Sequence, residues 1–246
     1  MSKSTILIFG DSLSLPRRIH NNKGILYDII TYQDTYISKL TNYFIEFNFV
    51  TIARGGQTSE ILNVTELVDI NNKKNMYLDI GEYNPSIIII FIGIVDCAPR
   101  LFTRNESALL SKIPKLISKL IIKIVKKLRN RSVKRAYVDI NRYTNYFENI
   151  FKYCKFNNIN IGIVGIPYGD NRAINNNPYI IDAAKKYNDS INHIIKEKYT
   201  KVQFINLFNF NNEVSSDYFL EDGYHLSKIG HQLVFESIKS LIININ

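Results

Sequence analysis

Five short apolar runs recur along the chain, at residues 6–9 (ILIF), 47–53 (FNFVTIA), 86–92 (SIIIIFI), 159–166 (INIGIVGI) and 202–208 (VQFINLF). Their shortness and their isoleucine and valine content are typical of strands that are buried on both faces of a parallel sheet. The chain therefore contains five predicted strands.

The segments between these runs have the periodicity of amphipathic helices, at residues 34–46, 137–155, 178–199 and 228–242. Strands that alternate with helices imply right-handed βαβ units and one parallel sheet covered by helices on both faces. We predict a single three-layer α/β/α domain over residues 1–246. Its five-stranded sheet is expected to be flavodoxin-like, with the strands in the order 2-1-3-4-5.

Polar loops follow four of the predicted strands, at residues 10–18 (GDSLSLPRR), 54–60 (RGGQTSE), 93–100 (GIVDCAPR) and 167–172 (PYGDNR). In open parallel sheets, ligands bind beyond the carboxyl ends of the strands. The functional residues are therefore expected in these loops, at one edge of the sheet.

The composition is that of an ordinary globular protein, with 46% hydrophobic and 22% charged residues in 246. The two cysteines, Cys97 and Cys154, are too few for a disulfide scaffold, and we expect both to be reduced. The residues before the first strand are too few for a signal peptide, and the longest apolar run, residues 87–92, is too short to span a membrane. We predict a cytoplasmic protein.

The net charge of +9 is concentrated in one segment. Ten basic residues and no acidic residue lie between Ser107 and Val138, so the remainder of the chain is slightly acidic. Within a basic helical segment at about residues 107–135, the stretch Lys115–Arg131 is amphipathic. Its lysines fall on one face (Lys115, Lys119, Lys123, Lys126, Lys127), and its aliphatic side chains fall on the other (Leu116, Ile117, Leu120, Ile121, Ile124, Leu128).

Three interpretations of this basic segment remain open. It could pack on the sheet with its lysines in solvent, or lie on an anionic membrane surface as a peripheral contact. Nucleic acid is the least favoured partner, because no aromatic residue lies between Pro114 and Ala136 and the chain has no recognised binding motif.

Two short motifs at opposite ends of the chain carry candidate chemistry. Gly10-Asp11-Ser12-Leu13 follows the first strand, and Asp222-Gly223-Tyr224-His225 precedes the last helix. A serine hydroxyl needs an adjacent base, which His225 could supply, and Asp222 could hold the imidazole in the required tautomer. Taken singly, Ser12 could be a helix cap and Asp222-Gly223 a turn.

The two motifs together resemble those of the GDSL esterases, also called SGNH hydrolases, and the resemblance extends from residue 6 to about residue 240. It implies that Ser12, Asp222 and His225 are catalytic and that no cofactor is needed. It also implies that the N–H groups of Ser12 and Gly56 form the oxyanion hole, with Gly55 as the less favoured match.

The chain departs from the family pattern at Gly93-Ile94-Val95-Asp96, where Val95 replaces an asparagine that donates to the oxyanion. Valine has no such donor, and loss of one donor costs about 10²–10³ in kcat. Either the two backbone donors suffice, or another group substitutes for the asparagine, and Arg100 is our candidate for that group. The third possibility is a site that binds or transfers and no longer hydrolyses. Asp11, Arg54, Asp96 and Arg100 are the predicted substrate-binding residues.

Arginines in these loops, at positions 17, 18, 54 and 100, favour an anionic substrate such as an acidic sugar, a sugar nucleotide or a lipid-linked glycan. The resemblance implies an esterase that removes acetyl or other acyl groups from a carbohydrate of a surface-polysaccharide pathway. An acyltransferase with the same site and a non-catalytic glycan-binding module are the alternatives. No sequence cluster indicates a metal site.

Overall fold

The computed structural model describes residues 3–20, 26–63, 80–128, 130, 132–199, 201–207 and 216–245. Its strands are β1 (Thr5–Gly10), β2 (Arg17–His20), β3 (Leu26–Ile30), β4 (Asn48–Ala53), β5 (Pro85–Phe91), β6 (Asn160–Val164) and β7 (Val202–Ile205). Five of them form a parallel sheet in the order β4-β1-β5-β6-β7. This order confirms the predicted arrangement of the five apolar runs; Phe208, at the end of the last run, lies outside the described residues.

Helices connect and flank these strands. They are α1 (Tyr36–Tyr43), α2 (Ile80–Tyr83), α3 (Ile94–Cys97), α4 (Arg104–Ser111), α5 (Lys115–Leu128), α6 (Ile140–Phe156), α7 (Asn171–Asn176), α8 (Ile180–Lys198) and α9 (Lys228–Ile245). Helix α1 packs against α9, and α6 packs against α8, so two helix pairs flank the sheet. None of the described helices is both long and apolar enough to cross a membrane.

The core lies at the centre of the sheet. Every side chain from Ile6 to Phe9 in β1 is fully buried, and residues 87–91 of β5 are at most 1% exposed. Helix α6 buries Tyr143, Phe147 and Phe151 at intervals of four residues, as one face of an amphipathic helix must. The continuous apolar runs therefore form the two central strands, where both faces are covered.

The carboxyl ends of the three strands β4, β1 and β5 are level with one another. Gly10, the last residue of β1, pairs with Ala53 on one side and with Phe91 on the other. The three loops that follow these strands therefore begin side by side. This register brings loops that are distant in sequence to one edge of the sheet.

The antiparallel ribbon of β2 and β3 was not predicted from the sequence. Arg17 to His20 pairs with Leu26 to Ile30, outside the main sheet. The ribbon begins with two arginines and has no clear alternation of apolar and polar residues, so its sequence resembles that of a polar loop.

The predicted basic helical segment at about residues 107–135 consists of more than one helix. Helix α4 ends at Ser111, and α5 begins after Pro114, because proline cannot supply the amide hydrogen that would continue α4. A short 3₁₀ turn follows at Val133–Arg135. Arg129 and Arg131, which belong to the predicted segment, lie outside the described residues.

The segment that contains α4 and α5, which we call the α4–α5 excursion, begins and ends at a pair of backbone hydrogen bonds. The Arg100 N–H donates to the Ser132 carbonyl at 3.2 Å, and the Ser132 N–H donates to the Arg100 carbonyl at 3.1 Å. The side chain of Arg135 also donates to the Arg100 carbonyl, at 3.0 Å. The two ends of this segment therefore meet at one backbone pair.

Candidate active site

Ser12 lies in a short 3₁₀ turn, Ser12–Ser14, that begins two residues after β1 ends. The turn is capped by Asp11, whose Oδ1 accepts the N–H of Leu13 at 2.8 Å. Ser14 Oγ and Tyr36 OH share a hydrogen bond of 2.8 Å, which ties the turn to α1. Ser12 itself is only half-buried, so its hydroxyl is held at the edge of the sheet and remains accessible.

Asp222 organises the loop that carries His225. Its Oδ1 accepts the backbone N–H groups of Tyr224, at 3.2 Å, and of His225, at 2.9 Å. Its Oδ2 lies 2.6 Å from Nδ1 of the His225 ring. One carboxylate therefore fixes both the turn of the backbone and the orientation of the imidazole.

A second acidic residue and its arginine hold this loop against α7. The Asp170 N–H donates to the Gly223 carbonyl at 2.9 Å, and the Arg172 side chain binds the Asp170 carboxylate. Arg172 also donates to the backbone carbonyls of Ser216 and Phe219. We did not predict these positioning residues, although their segment, residues 167–172, was one of the four loops assigned to this edge.

The structure brings Ser12 to His225 across 213 residues of sequence. The Ser12 Oγ lies 3.1 Å from His225 Nε2. With Nδ1 bonded to the carboxylate of Asp222, the ring can carry its proton on Nδ1 and accept the serine proton at Nε2. Ser12, His225 and Asp222 thus form a continuous hydrogen-bonded row.

The environment of Asp222 favours its ionised form. Partial burial raises the pKa of its carboxyl, but the hydrogen bonds from the side chain and backbone of His225 outweigh burial and lower the pKa to about 2. Arg17 Nη2 lies 3.8 Å from Asp222 Oδ2. Asp222 is therefore negatively charged at neutral pH and can stabilise a positively charged imidazole.

A cavity of about 320 Å³ opens beside this row. Gly56 lies on its wall with a positive φ of 76°, a conformation that favours glycine. The backbone N–H groups of Ser12 and Gly56 donate to no other described residue. The remaining lining residues are Ile94, Val95, Ala98, Pro99, Arg100, Tyr137, Ala173, Asn176, Asn177, Ile180 and Tyr224.

Asp11 and Asp96 do not reach this cavity, which corrects our prediction that they bind substrate. Both residues are fully buried. Asp96 Oδ1 accepts the N–H and the hydroxyl of Ser59, at 2.9 and 2.7 Å, and thereby ties the loop after β5 to the loop after β4. Burial raises the pKa of each carboxyl to about 7, and the charge of Asp96 further raises that of Asp11.

The sequence profile of the family described as GDSL-like Lipase/Acylhydrolase matches residues 6–238 of the chain. The protein belongs to this family. It is accordingly a serine esterase or hydrolase, and the resemblance seen in the sequence is confirmed. A search of curated proteins gave no significant match.

Several solved structures of GDSL-like proteins have the same fold. A lipase/acylhydrolase from Enterococcus faecalis is 13% identical with a TM-score of 0.60, over 97% of this chain and 95% of that chain. A GDSL-like lipase from Bacteroides thetaiotaomicron is 13% identical with a TM-score of 0.57, over 99% and 89%. An acetyl xylan esterase from Geobacillus stearothermophilus is 17% identical with a TM-score of 0.56, over 96% and 92%.

Val95, the departure from the GDSL pattern, lies on the cavity wall near Arg100. Arg100 Nη2 donates to the Val95 carbonyl at 3.1 Å, and its guanidinium stacks 4.1 Å from the centre of the Tyr137 ring. The Arg100 Nε is buried and has no partner among the described residues. Arg100 thus braces the loop of Val95.

The other loop arginines lie outside the cavity wall. Arg54 is exposed on the loop of Gly56 and is not among the described lining residues, and Arg18 is exposed on β2. Of the remaining histidines, His193 is exposed on α8 next to Glu197. His231 is buried and stacks on Tyr36, and burial lowers its pKa to about 4. Within the described residues, no cluster of three or more His, Cys, Asp or Glu side chains could hold a metal ion.

Proposed function

We propose that this GDSL-family protein is a serine-dependent acyl-ester hydrolase that removes a short acyl group, such as acetyl, from a carbohydrate. The observation that carries the proposal is the hydrogen-bonded row of Ser12, His225 and Asp222 at the wall of a cavity. A binding module would have no need for a histidine held at 2.6 Å by a carboxylate and directed at a serine hydroxyl.

In this mechanism Ser12 Oγ attacks the ester carbonyl while His225 Nε2 takes the hydroxyl proton. The protonated ring, stabilised by Asp222, then gives that proton to the leaving sugar oxygen, and an acyl-Ser12 ester remains. A water molecule then attacks the acyl carbonyl carbon while His225 takes one of its protons. The acyl–Oγ bond breaks, the acyl group leaves as a carboxylic acid, and His225 returns the proton to Ser12 Oγ. No cofactor takes part in these steps.

The oxyanion of each tetrahedral intermediate would bind the N–H groups of Ser12 and Gly56. Their lack of other partners among the described residues supports this role. The third donor, which the GDSL family usually takes from asparagine, is absent at Val95. We propose that Arg100 Nε supplies it in part, since it is buried at the same wall without a partner.

The size and lining of the cavity support a short acyl group and a sugar. Its volume of about 320 Å³ is at the low end of the range for small-molecule sites, which leaves little room for a long acyl chain. The rings of Tyr137 and Tyr224 offer stacking surfaces, and Asn177 Oδ1 is a buried acceptor without a partner among the described residues. The likeness to an acetyl xylan esterase is consistent with a carbohydrate ester.

An anionic glycan or sugar conjugate remains our proposed substrate class. Arg100 lines the cavity, so positive charge is present where a carboxylate or phosphate could bind. A surface-polysaccharide pathway and a cytoplasmic location remain part of this proposal.

The test combines active-site labelling with turnover of esters that differ in acyl length. A fluorophosphonate should label the wild type, and labelling should be lost in Ser12→Ala and in His225→Ala. The exposed residues Ser240 and His193 provide matched controls, and Ser240→Ala and His193→Ala should label normally. p-Nitrophenyl acetate should be hydrolysed faster than the octanoate, because the longer chain exceeds the cavity.

Two outcomes would replace the proposal with the alternatives. If the labelled protein releases p-nitrophenol only when a glycan acceptor is added, and the acyl group appears on that glycan, the protein is an acyltransferase. If neither labelling nor turnover occurs although Ser12→Ala and the wild type bind the same glycan, the protein is a binding module.

A further inference from the structure

Helix α5 has an apolar face that no described part of the protein covers. None of its fourteen residues is buried. Leu116 and Leu128 are more than 80% exposed, and Ile117, Leu120 and Ile124 are each about half-exposed. The described residues thus leave much of this apolar face uncovered, and a contiguous apolar surface of this kind indicates an interaction site.

The orientation of α5 separates its contacts from its free apolar surface. Ser118, Ile121, Ile122 and Val125 are half-buried, so this side faces the rest of the protein. Leu116, Leu120 and Ile124 follow one another at intervals of four residues and form an exposed stripe along the helix. Leu109 of α4, at 63% exposure, adds a further apolar side chain outside the core.

The lysines of α5 lie next to this stripe. Lys115, Lys119, Lys123, Lys126 and Lys127 are all exposed, and α5 contains no acidic residue. The whole chain owes its positive charge to this region, since the segment from Ser107 to Val138 has ten basic residues and no acid. The apolar stripe is therefore bordered by a strong and local positive charge.

We propose that α5 docks the protein on an anionic lipid surface, with the apolar stripe in the outer acyl region and the lysines at the headgroups. Lysines beside an aliphatic face are the features that interfacial helices require. A second copy of this chain fits less well, because two such helices would bring their lysines together. The proposal concerns where the protein binds and does not depend on the reaction at Ser12.

The docking surface is connected to the cavity wall. The excursion is closed by the Arg100–Ser132 backbone pair, and Arg100 also lines the cavity. Arg104 of α4 binds Glu60 at 2.5 Å, and Glu60 binds Arg142 of α6 at 2.9 Å. These contacts fix the base of the excursion, so a membrane bound to α5 holds the cavity in a defined orientation.

The test measures sedimentation of the full chain with vesicles of phosphatidylcholine alone or mixed with phosphatidylglycerol. We expect binding to the mixed vesicles that weakens strongly at ~1 M salt, and little binding to phosphatidylcholine alone. Replacing Lys119, Lys123 and Lys126 with Gln should weaken binding roughly 100-fold. Replacing Leu116, Leu120 and Ile124 with Ser should weaken it by roughly tenfold per side chain.

Matched variants remove the same groups from other surfaces. Lys185, Lys186 and Lys196 are exposed on α8, and their replacement with Gln makes the same change in net charge. Ile45→Ser and Phe156→Ser remove exposed apolar side chains elsewhere. All these controls should bind vesicles as the wild type does, and circular dichroism should show all variants folded.

Three results would overturn the proposal. The first is equal binding to neutral and anionic vesicles. The second is a loss of binding in the α8 lysine variant equal to that in the α5 variant. The third is concentration-dependent dimerisation that the α5 serine variant abolishes, with no vesicle binding by the wild type, which would assign the surface to a second copy of the chain.

Discussion

Replacing Asp11 with Asn should stabilise the protein at neutral pH, although Asp11 is part of the GDSL motif. Its carboxyl is fully buried, Oδ1 accepts the N–H of Leu13, and Oδ2 has no partner among the described residues. Burial and the nearby Asp96 raise its pKa from 3.8 to about 7. Asparagine has a similar shape, keeps an acceptor for Leu13, and has no charge to bury.

The sign and size of the effect follow from the pKa of Asp11. The folded state binds the proton of the Asp11 carboxyl more tightly than the unfolded state does. The contribution of this carboxyl to the unfolding free energy is therefore lowest when the carboxyl is ionised in both states. Stability is highest below about pH 4, falls as the pH rises towards 7, and is level above that. A shift of about three pKa units corresponds to about 4 kcal/mol. Asp11→Asn should remove this loss of stability with rising pH. Burial raises the pKa of Asp96 to about 7 as well, so the loss of stability caused by Asp96 should remain in the variant.

Urea unfolding followed by circular dichroism from pH 4 to pH 8 provides the measurement. The unfolding free energy of Asp11→Asn minus that of the wild type should be near zero at pH 4 and reach several kcal/mol at pH 8. Asp34→Asn is a control of opposite sign, because hydrogen bonds from Thr31 lower the pKa of Asp34 to about 2. The stabilisation that the ionised Asp34 carboxylate gives the folded state is lost only below pH 4. Asp34→Asn should therefore be less stable than the wild type by a constant amount from pH 4 to 8. A constant difference for Asp11→Asn would refute the reasoning.

Three further substitutions test the active site. Asp222→Asn should lower kcat by about 10⁴ with little change in KM, because the amide no longer fixes the tautomer of His225. A much smaller loss of kcat in steady-state kinetics would contradict this prediction. Val95→Asn should raise kcat by about 10² by restoring an oxyanion donor, and an unchanged kcat would mean that the existing donors suffice. Gly223→Ala should lower the unfolding free energy by at least ~1 kcal/mol and reduce fluorophosphonate labelling, because φ is +82° and a Cβ would lie 2.4 Å from Ala173 N; wild-type thermal unfolding would argue against it.

The sheet and the hydrogen-bonded row of Ser12, His225 and Asp222 could be predicted because their signals are local. Each buried strand is a continuous apolar run, and parallel strands place their carboxyl ends at one edge. Ser12 and His225 each lie in a short motif beside such an end, so their approach follows from the topology. The strand order was predicted from the flavodoxin-like arrangement expected for alternating strands and helices, and the order β4-β1-β5-β6-β7 confirms it.

Other features depend on contacts that a linear pattern does not encode. Asp11 and Asp96 are polar residues in motif loops, and only the packing around them makes them structural. Tyr137 and Asn177 reach the cavity from segments that carry no motif. The exposure of α5 was equally undetermined, because a helix that packs on a sheet and a helix that lies on a membrane have the same periodicity.

The backbone pair of Arg100 and Ser132 makes the α4–α5 excursion an insertion that is separate from the strands of the sheet. Because its two ends meet across one backbone pair, the excursion can be shortened, lengthened or replaced without shifting the register of any strand in the sheet. Selection can therefore alter this segment while the contact between Ser12 and His225 stays untouched.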